Sequence, residues 1–460
     1  MSATVPTMPG ALPFIGHGLH LLRDPLPLMR KANTLAPVVR LKGPGPDVYL
    51  VTDPDLLHRM LVTDTRDYAK GRITDGAAPQ FGPSLLMDIH FDGLTLFEAH
   101  RRHRRALQPA FHPRRTAAQV PQVRELTQTH CRHWQAGQTL RLDQDLARLA
   151  YDVTARTFCA ATDSMAGALA ALTASSTTGV YWRVALPRLG RLSGVPGTGS
   201  FKRAVARLRA AVTGAIEQHR ADPRDRGDVL SALLSARYHD TGEAMSDEQI
   251  VNEITFYMFA AVHGIADVLP HVFLELSRHP DAEERLHAEL DTVLSGRPVQ
   301  AEDLPRLHYT RRLLTEVMRL HPTVWLLARR TLRTVRLGTT DFPAGTEIAY
   351  GAYAAHHHPG IHHDPLRFDP DRWLPERTRA LHKVAQLTFG TGPRKCIGDQ
   401  LATTHMLTAL ATITQHWRLH TPPGHRHRPT PRLFLRPGTL PALITQRTPM
   451  RTTSAAPAQS

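Results

Sequence analysis

The stretch FYMFAAVHGIADVLPHVF, Phe256 to Phe273, constrains this chain more than any other. A helix that is apolar on all sides belongs in the middle of a protein. Its start is marked at Ser246-Asp247-Glu248-Gln249, a capping box with Gln three residues after Ser. The pattern predicts a helix to about Arg278, before His279-Pro280. Its centre nevertheless holds His263, Gly264 and Pro270. In a helix interior Gly costs about 1 kcal/mol and Pro about 3 kcal/mol relative to Ala. Gly264 and Pro270 are expected to open the helix locally and to free the Ala266 carbonyl for a water. Something that this helix faces must account for the three residues.

The chain has 460 residues, 42% of them hydrophobic, enough for a large core. Cys131, Cys159 and Cys396 are unclustered, which excludes a disulfide framework and a zinc site and fits a reducing cytosol. Met1 to Gly10 lacks the basic-then-apolar pattern of a secretion signal, and no window approaches the ~20 apolar residues of a membrane anchor. The expectation is a cytoplasmic monomer. The formal charge of +15 comes from arginines spread along the whole chain. No basic nucleic-acid module accompanies it, so nucleic acid is excluded as a partner. A basic face that docks an acidic protein remains.

Val38–Lys42 and Val48–Val51 alternate as strands around a Gly/Pro turn, and Asp53-Pro54 opens a helix. Residues 70–98 read as a long loop. From Glu98 to Ser246 the pattern is helical, interrupted by the Gly/Pro-rich 186–198, a binding-loop candidate. Further helices are expected at Tyr309–Leu320 and Asp399–His416. No repeat or linker divides the chain, so residues 1–447 are expected to form one mainly α domain with a small β region, and 448–460 a disordered tail.

The segment FGTGPRKCIGDQLA, Phe389 to Ala402, places Cys396 just ahead of a helix. The free N–H groups and dipole of a helix N-terminus stabilise a thiolate. Gly390, Gly392 and Gly398 let backbone pass close to something flat. A buried, inert Cys on a tight loop is the competing reading. Phe389, Gly392, Arg394, Cys396 and Gly398 make F-x-x-G-x-R-x-C-x-G. Five such fixed residues match by chance in roughly one chain in ten thousand. The segment resembles the haem-binding loop of the cytochrome P-450 family, in which the Cys thiolate is the axial ligand of the haem iron and favours O–O cleavage.

Other segments carry the same resemblance across nearly the whole chain. Glu316-Val317-Met318-Arg319 matches the family's E-x-x-R, and FDPDRW, Phe368 to Trp373, its F-x-P-E-R-W with Asp for Glu. The resemblance implies a buried structural ion network of Glu316, Arg319 and Arg372. It also implies haem-propionate ligands at Arg329, with Arg330 as the neighbouring candidate, and at His100 and Arg104 in HRRHRRALQPAF. The implied fold is a triangular helical prism around a buried haem b. Within the long helix the family's acid–alcohol pair falls on His263-Gly264, with Ala260 and Ala261 leaving room for dioxygen. Three accounts of this departure stay open: His263 relays protons; substrate or water supplies the missing hydroxyl; or the enzyme uses peroxide or catalyses a rearrangement or coupling. A weakened scaffold that only binds a ligand is a further alternative.

The function implied is monooxygenation of a bulky apolar small molecule, a terpenoid or other secondary metabolite, with a ferredoxin and its reductase docking near Arg394 and Lys395. Pocket residues are expected at Phe259, Ala260, Val324, Trp325, Leu326 and Thr439, with further lining from 73–97 and 179–189. The histidines at 356–358 and 362–363 read as loop residues.

Overall fold

The computed structural model describes residues 4–43, 45–71, 74–75, 81–85, 87–160, 163–179 and 197–448. The expectations for Ile73, most of 179–189 and 186–198, and the tail beyond 448 lie outside these residues. Seven helices carry the site: α1 (Leu96–Leu107), α2 (Leu142–Cys159), α3 (Asp163–Gly179), α4 (Thr198–Ala221), α5 (Asp247–Arg278), α6 (His308–Leu320) and α7 (Asp399–His416). They pack around α5, which touches α2, α3, α4, α6 and α7.

Helix α5 begins at the expected capping box, with both of its reciprocal hydrogen bonds formed between Ser246 and Gln249. It runs to Arg278 as the pattern predicts but is more apolar than expected: by length and composition it passes as a membrane span, but 83% of its most apolar 18-residue window is buried inside the protein. It is the core helix. Its ladder shifts to a π turn over Gly264–Val268, between the glycine and Pro270. Pro270 has no N–H for the Ala266 carbonyl, so the ladder yields there.

A five-stranded sheet forms the second body of structure, in the order β1 (Val38–Leu41), β2 (Val48–Val51), β8 (Glu347–Tyr350), β5 (Leu327–Thr331) and β3 (Tyr68–Lys70). The β1–β2 hairpin pairs Val38 with Val51, close to the expected bounds. β4 (Thr139–Arg141), β12 (Pro441–Gln446) and β9 (Trp417–His420) make a three-stranded sheet, and β6 (Val335–Leu337) pairs with β7 (Thr340–Phe342). The short hairpin of β10 (Thr430–Pro431) and β11 (Leu435–Arg436) hangs from Thr323, whose carbonyl accepts the Leu435 N–H at 2.8 Å. One large apolar core lies among the helices and two smaller ones flank the sheet. Cys131 and Cys159 sit in the helical core.

Candidate active site

The loop before α7 is built by close backbone approach. Gly390 and Gly392 both have φ near +69°, and a Cβ on Gly392 would lie 2.4 Å from the Leu61 carbonyl oxygen. Only glycine fits there. The Cys396 N–H donates to the Phe389 carbonyl at 2.8 Å, and Arg104 Nη1 donates to the Lys395 carbonyl at 2.6 Å. Cys396 is thereby set two residues before the N-cap-adjacent start of α7 at Gly398-Asp399. Burial pushes its thiol pKa up; the Gly398 N–H and the charges of Arg104 and Lys395 pull it back. Cys396 is exposed to solvent although protein surrounds it, so its thiol opens on an internal space. Half-buried Phe389, Ile397 and Ala402 line the same side.

Cations converge beside this loop. His100 is buried on α1 with both ring nitrogens unpartnered. Burial, with the charges of Lys70, Arg394 and Arg104, drives its pKa down to about 2, so the imidazole is neutral. Burial, with the charge of Arg329, lowers Arg394 to about 10. Arg394 Nε and Arg329 Nε also lack partners. Arg329 is buried over the Tyr350 ring, whereas Arg330 turns outward to ion pairs with Glu347 and Asp75. Lys70 is buried too; burial holds its amine well below the usual lysine range, and it donates to the Leu85 and Met87 carbonyls. Asp88 and, toward Lys70, also Glu253 are acids that partly offset the cluster. A thiol, an excess of buried cations with orphaned donors, and an apolar slot between them fit a flat, iron-bearing group with two carboxylates.

On the opposite wall, Ala260, Ala261 and Gly264 of α5 are half-buried. His263 is buried; its Nδ1 bonds Asp267 Oδ2 at 2.6 Å, and its Nε2 has no partner. Asp267 Oδ1 lies 3.6 Å from Arg436 Nε, and the Arg436 side chain is 28% exposed. This links the dyad to solvent. The His263 ring stacks on Phe434 with centroids 3.6 Å apart. Phe434 in turn contacts Phe259, which stacks on Phe81, and Phe81 meets Phe256. Val324 and Leu326 are half-buried.

Three expectations need correction. Thr439 is exposed and takes a 3.4 Å hydrogen bond from Arg141, outside the pocket; the hairpin tip at Leu433 and Phe434 reaches in instead, because Gly438 turns the chain away under the Arg428 carbonyl. Trp325 is buried in the core beside the sheet, with Nε1 donating to the Arg432 carbonyl at 2.8 Å, so it holds the hairpin rather than lining the pocket. Arg394 points inward to the cation cluster, leaving only Lys395 of that pair exposed.

Glu316, Arg319 and Arg372 do meet. Arg319 and Glu316 are wholly buried and joined by two 2.8 Å bonds. Arg319 also donates to the carbonyls of His356 and Pro365 at 2.7 Å, and Arg372 to that of His363 at 2.5 Å. Trp373 Nε1 and the Asp369 N–H complete the Glu316 shell at 2.9 and 3.0 Å. His356 bridges the Arg319 carbonyl and the Leu387 N–H. His362 holds the Ala385 carbonyl. No cluster of metal-ligating side chains occurs among the described residues.

Sequence reading missed Lys70, Asp267, Leu433 and Phe434. Only Asp267 left a signal: it stands four residues after His263, one helical turn on the same face.

Comparison with known proteins agrees with this geometry. The cytochrome P-450 family model matches residues 6–443. The cyclooctat-9-en-7-ol 5-monooxygenase of Streptomyces melanosporofaciens is 37% identical over 92% of this chain and 91% of its own length. The pentalenene oxygenase of Streptomyces avermitilis is 33% identical over 96% and 98%. Among solved structures, a cytochrome P-450DA haem domain superposes with a TM-score of 0.86 at 24% identity, covering 98% of this chain and 100% of that one. A retinoic acid-bound cyanobacterial relative gives 0.84 at 22%, covering 97% and 100%. This chain belongs to the cytochrome P-450 family and is a haem-thiolate monooxygenase whose cofactor is haem b.

Proposed function

We propose that the chain oxidises a bulky terpenoid-like hydrocarbon skeleton. The observation that carries this is the linked aromatic wall of Phe81, Phe256, Phe259 and Phe434, with Ala260 on the same helix as Phe256 and Phe259 and Leu433 beside Phe434. Such a lining orients a ligand by shape and excludes water, and it offers a charged ligand no partner. The terpenoid-oxidising names of the Streptomyces relatives support the same class.

Haem, when bound, supplies the activation of dioxygen. Cys396 would hold its iron through the thiolate, with Phe389 and Gly398 shaping the loop. His100, Arg104, Arg329 and Arg394 would hold the propionates, with Lys70 beside them. His263 would handle a proton at its unpartnered Nε2, with Asp267 holding the ring through Nδ1 and Arg436 beside the carboxylate. Enzymes of this family need a redox partner, and bacterial members use a ferredoxin with its reductase. For this chain we place the docking face at Lys395 and the exposed Arg101 and Arg105 of α1, in the cytoplasm, with the protein as a monomer.

The test is a Soret spin-shift titration of the ferric protein with sesquiterpenes, diterpenes, fatty acids and aromatic peptides. A low-to-high-spin shift with one terpenoid class is expected. A shift with fatty acids or peptides alone would overturn the substrate class.

A further inference from the structure

Outside the site, Phe14 is 98% exposed and has a φ of +62°. A bulky residue in the left-handed region is strained, and nothing packs on its ring to offset that. The conformation is held from outside. Leu12 and Gly16 exchange two backbone hydrogen bonds of 2.9 Å, closing a tight loop around Pro13-Phe14-Ile15. Gly16 lies against the strand end: a Cβ there would stand 2.3 Å from the Lys42 carbonyl oxygen. Buried His17 clamps the base, with its N–H donating to the Lys42 carbonyl at 2.8 Å and its ring bonded to the Lys42 N–H and the Met8 carbonyl. The loop is thus anchored, and its tip presents Leu12 (41% exposed), Phe14 and Ile15 (43%) to solvent.

The surroundings are basic. Residues 1–47 carry Arg23, Arg30, Lys31, Arg40 and Lys42 against Asp24 and Asp47, the latter paired with Arg40. Lys42, Arg23 and His20 are exposed, and the His20 ring lies against Gly10 just before the loop.

We propose that this loop is a wedge that docks the enzyme on an anionic lipid surface. The tip is convex and presents three large apolar side chains. That is far less than the face of about 800 Å² per partner that a specific protein contact needs. A soft interface accepts such a point, with an aromatic at headgroup depth and cations beside the phosphates. The contact is peripheral and does not span the bilayer.

The test is flotation of the haem-loaded enzyme with vesicles of equal parts phosphatidylglycerol and phosphatidylcholine, and with phosphatidylcholine alone. The enzyme is expected to float with the anionic vesicles and to float much less with the neutral ones. Phe14→Glu is expected to reduce binding about tenfold, by analogy with losing one buried aromatic. Phe14→Asn, which suits the left-handed backbone, should fold and lose binding to a similar extent. Equal flotation of wild type and both variants, or none by wild type, overturns the proposal. So does a change of oligomeric state in Phe14→Glu, which would assign the tip to a second copy.

Discussion

Two groups of charged side chains lie near the thiolate loop, and they differ in whether they are complete. In the Glu316–Arg319–Arg372 group each charged head meets carboxylate, carbonyl or indole at hydrogen-bond distance. The Lys70–His100–Arg104–Arg329–Arg394 group has an excess of basic side chains over its nearby acids, Asp88 and Glu253, and leaves ring and guanidinium nitrogens without partners. Buried charges cost several kcal/mol each unless paired. The first group therefore serves the fold, and the second is shaped for an anionic group. The same residue types have opposite roles, decided by whether the protein itself supplies the counter-charge.

The largest break of this comparison is Glu316→Gln. It strands Arg319 and Arg372 in the core, and losing one partner of a buried pair costs about 3–5 kcal/mol. Thermal unfolding of the apoprotein should show the loss, and holoprotein should not accumulate. Next come Arg329→Met and Arg394→Met. Each removes a charge from a cluster with an excess of basic side chains, so apoprotein stability should hold or rise. Each also removes a charge-assisted bond of about 1.5–3 kcal/mol to a carboxylate, so haem should transfer to apomyoglobin roughly tenfold to a hundredfold faster. If either Arg variant destabilised the apoprotein as Glu316→Gln does, the two groups would not differ in kind.

A pH series sharpens the contrast. His100 falls from 6.5 to about 2 in the fold. Above pH 6.5 it is neutral in both states and contributes no pH dependence; as pH falls below 6.5 the unfolded chain takes a proton that the fold refuses. Apoprotein stability should then fall by up to about 1.4 kcal/mol per pH unit for this residue. His356, also held well below its usual value by burial, acts in the same direction from the closed group. Carboxylates beside His100 would raise its pKa, so haem should relieve its share of the acid loss and leave that of His356. Unfolding of His100→Gln and wild type, each with and without haem, measures the two shares.

This contrast also explains what the sequence could convey. E-x-x-R, the FDPDRW segment and the cysteine loop are local strings whose side chains meet within a turn or a single packing contact, so they were legible, as was the capping box of α5. Lys70 was not: it is the last residue of a three-residue strand, and only the fold carries it beside Arg329 and Arg394. Arg394 carries two readings, a cofactor-loop residue and part of the docking face, because a loop has no periodicity to assign faces; it points inward, so only the docking reading is corrected. The sequence points to Thr439 and not to Phe434 because the hairpin's apex depends on the left-handed Gly438, not on apolar pattern.

The smallest effect is expected at Gly264, where the two walls of the site meet. A Cβ added there would lie 3.7 Å from Met406 and 4.0 Å from Ala402, ordinary contact distances, with no strain in φ. Gly264→Thr should therefore fold with stability changed by less than about 1 kcal/mol. The discriminating readout is reductant wasted as peroxide, compared among Gly264→Thr, His263→Ala and wild type. If His263 and Asp267 deliver protons, His263→Ala should waste more and the added hydroxyl should alter coupling little. If instead Gly264→Thr sharply improves coupling while His263→Ala is silent, the dyad is packing, and the missing hydroxyl comes from the substrate or from water in the turn that Pro270 opens. The outcome would show whether α5 departs from the family pattern by replacing its proton source or by delegating it to the ligand.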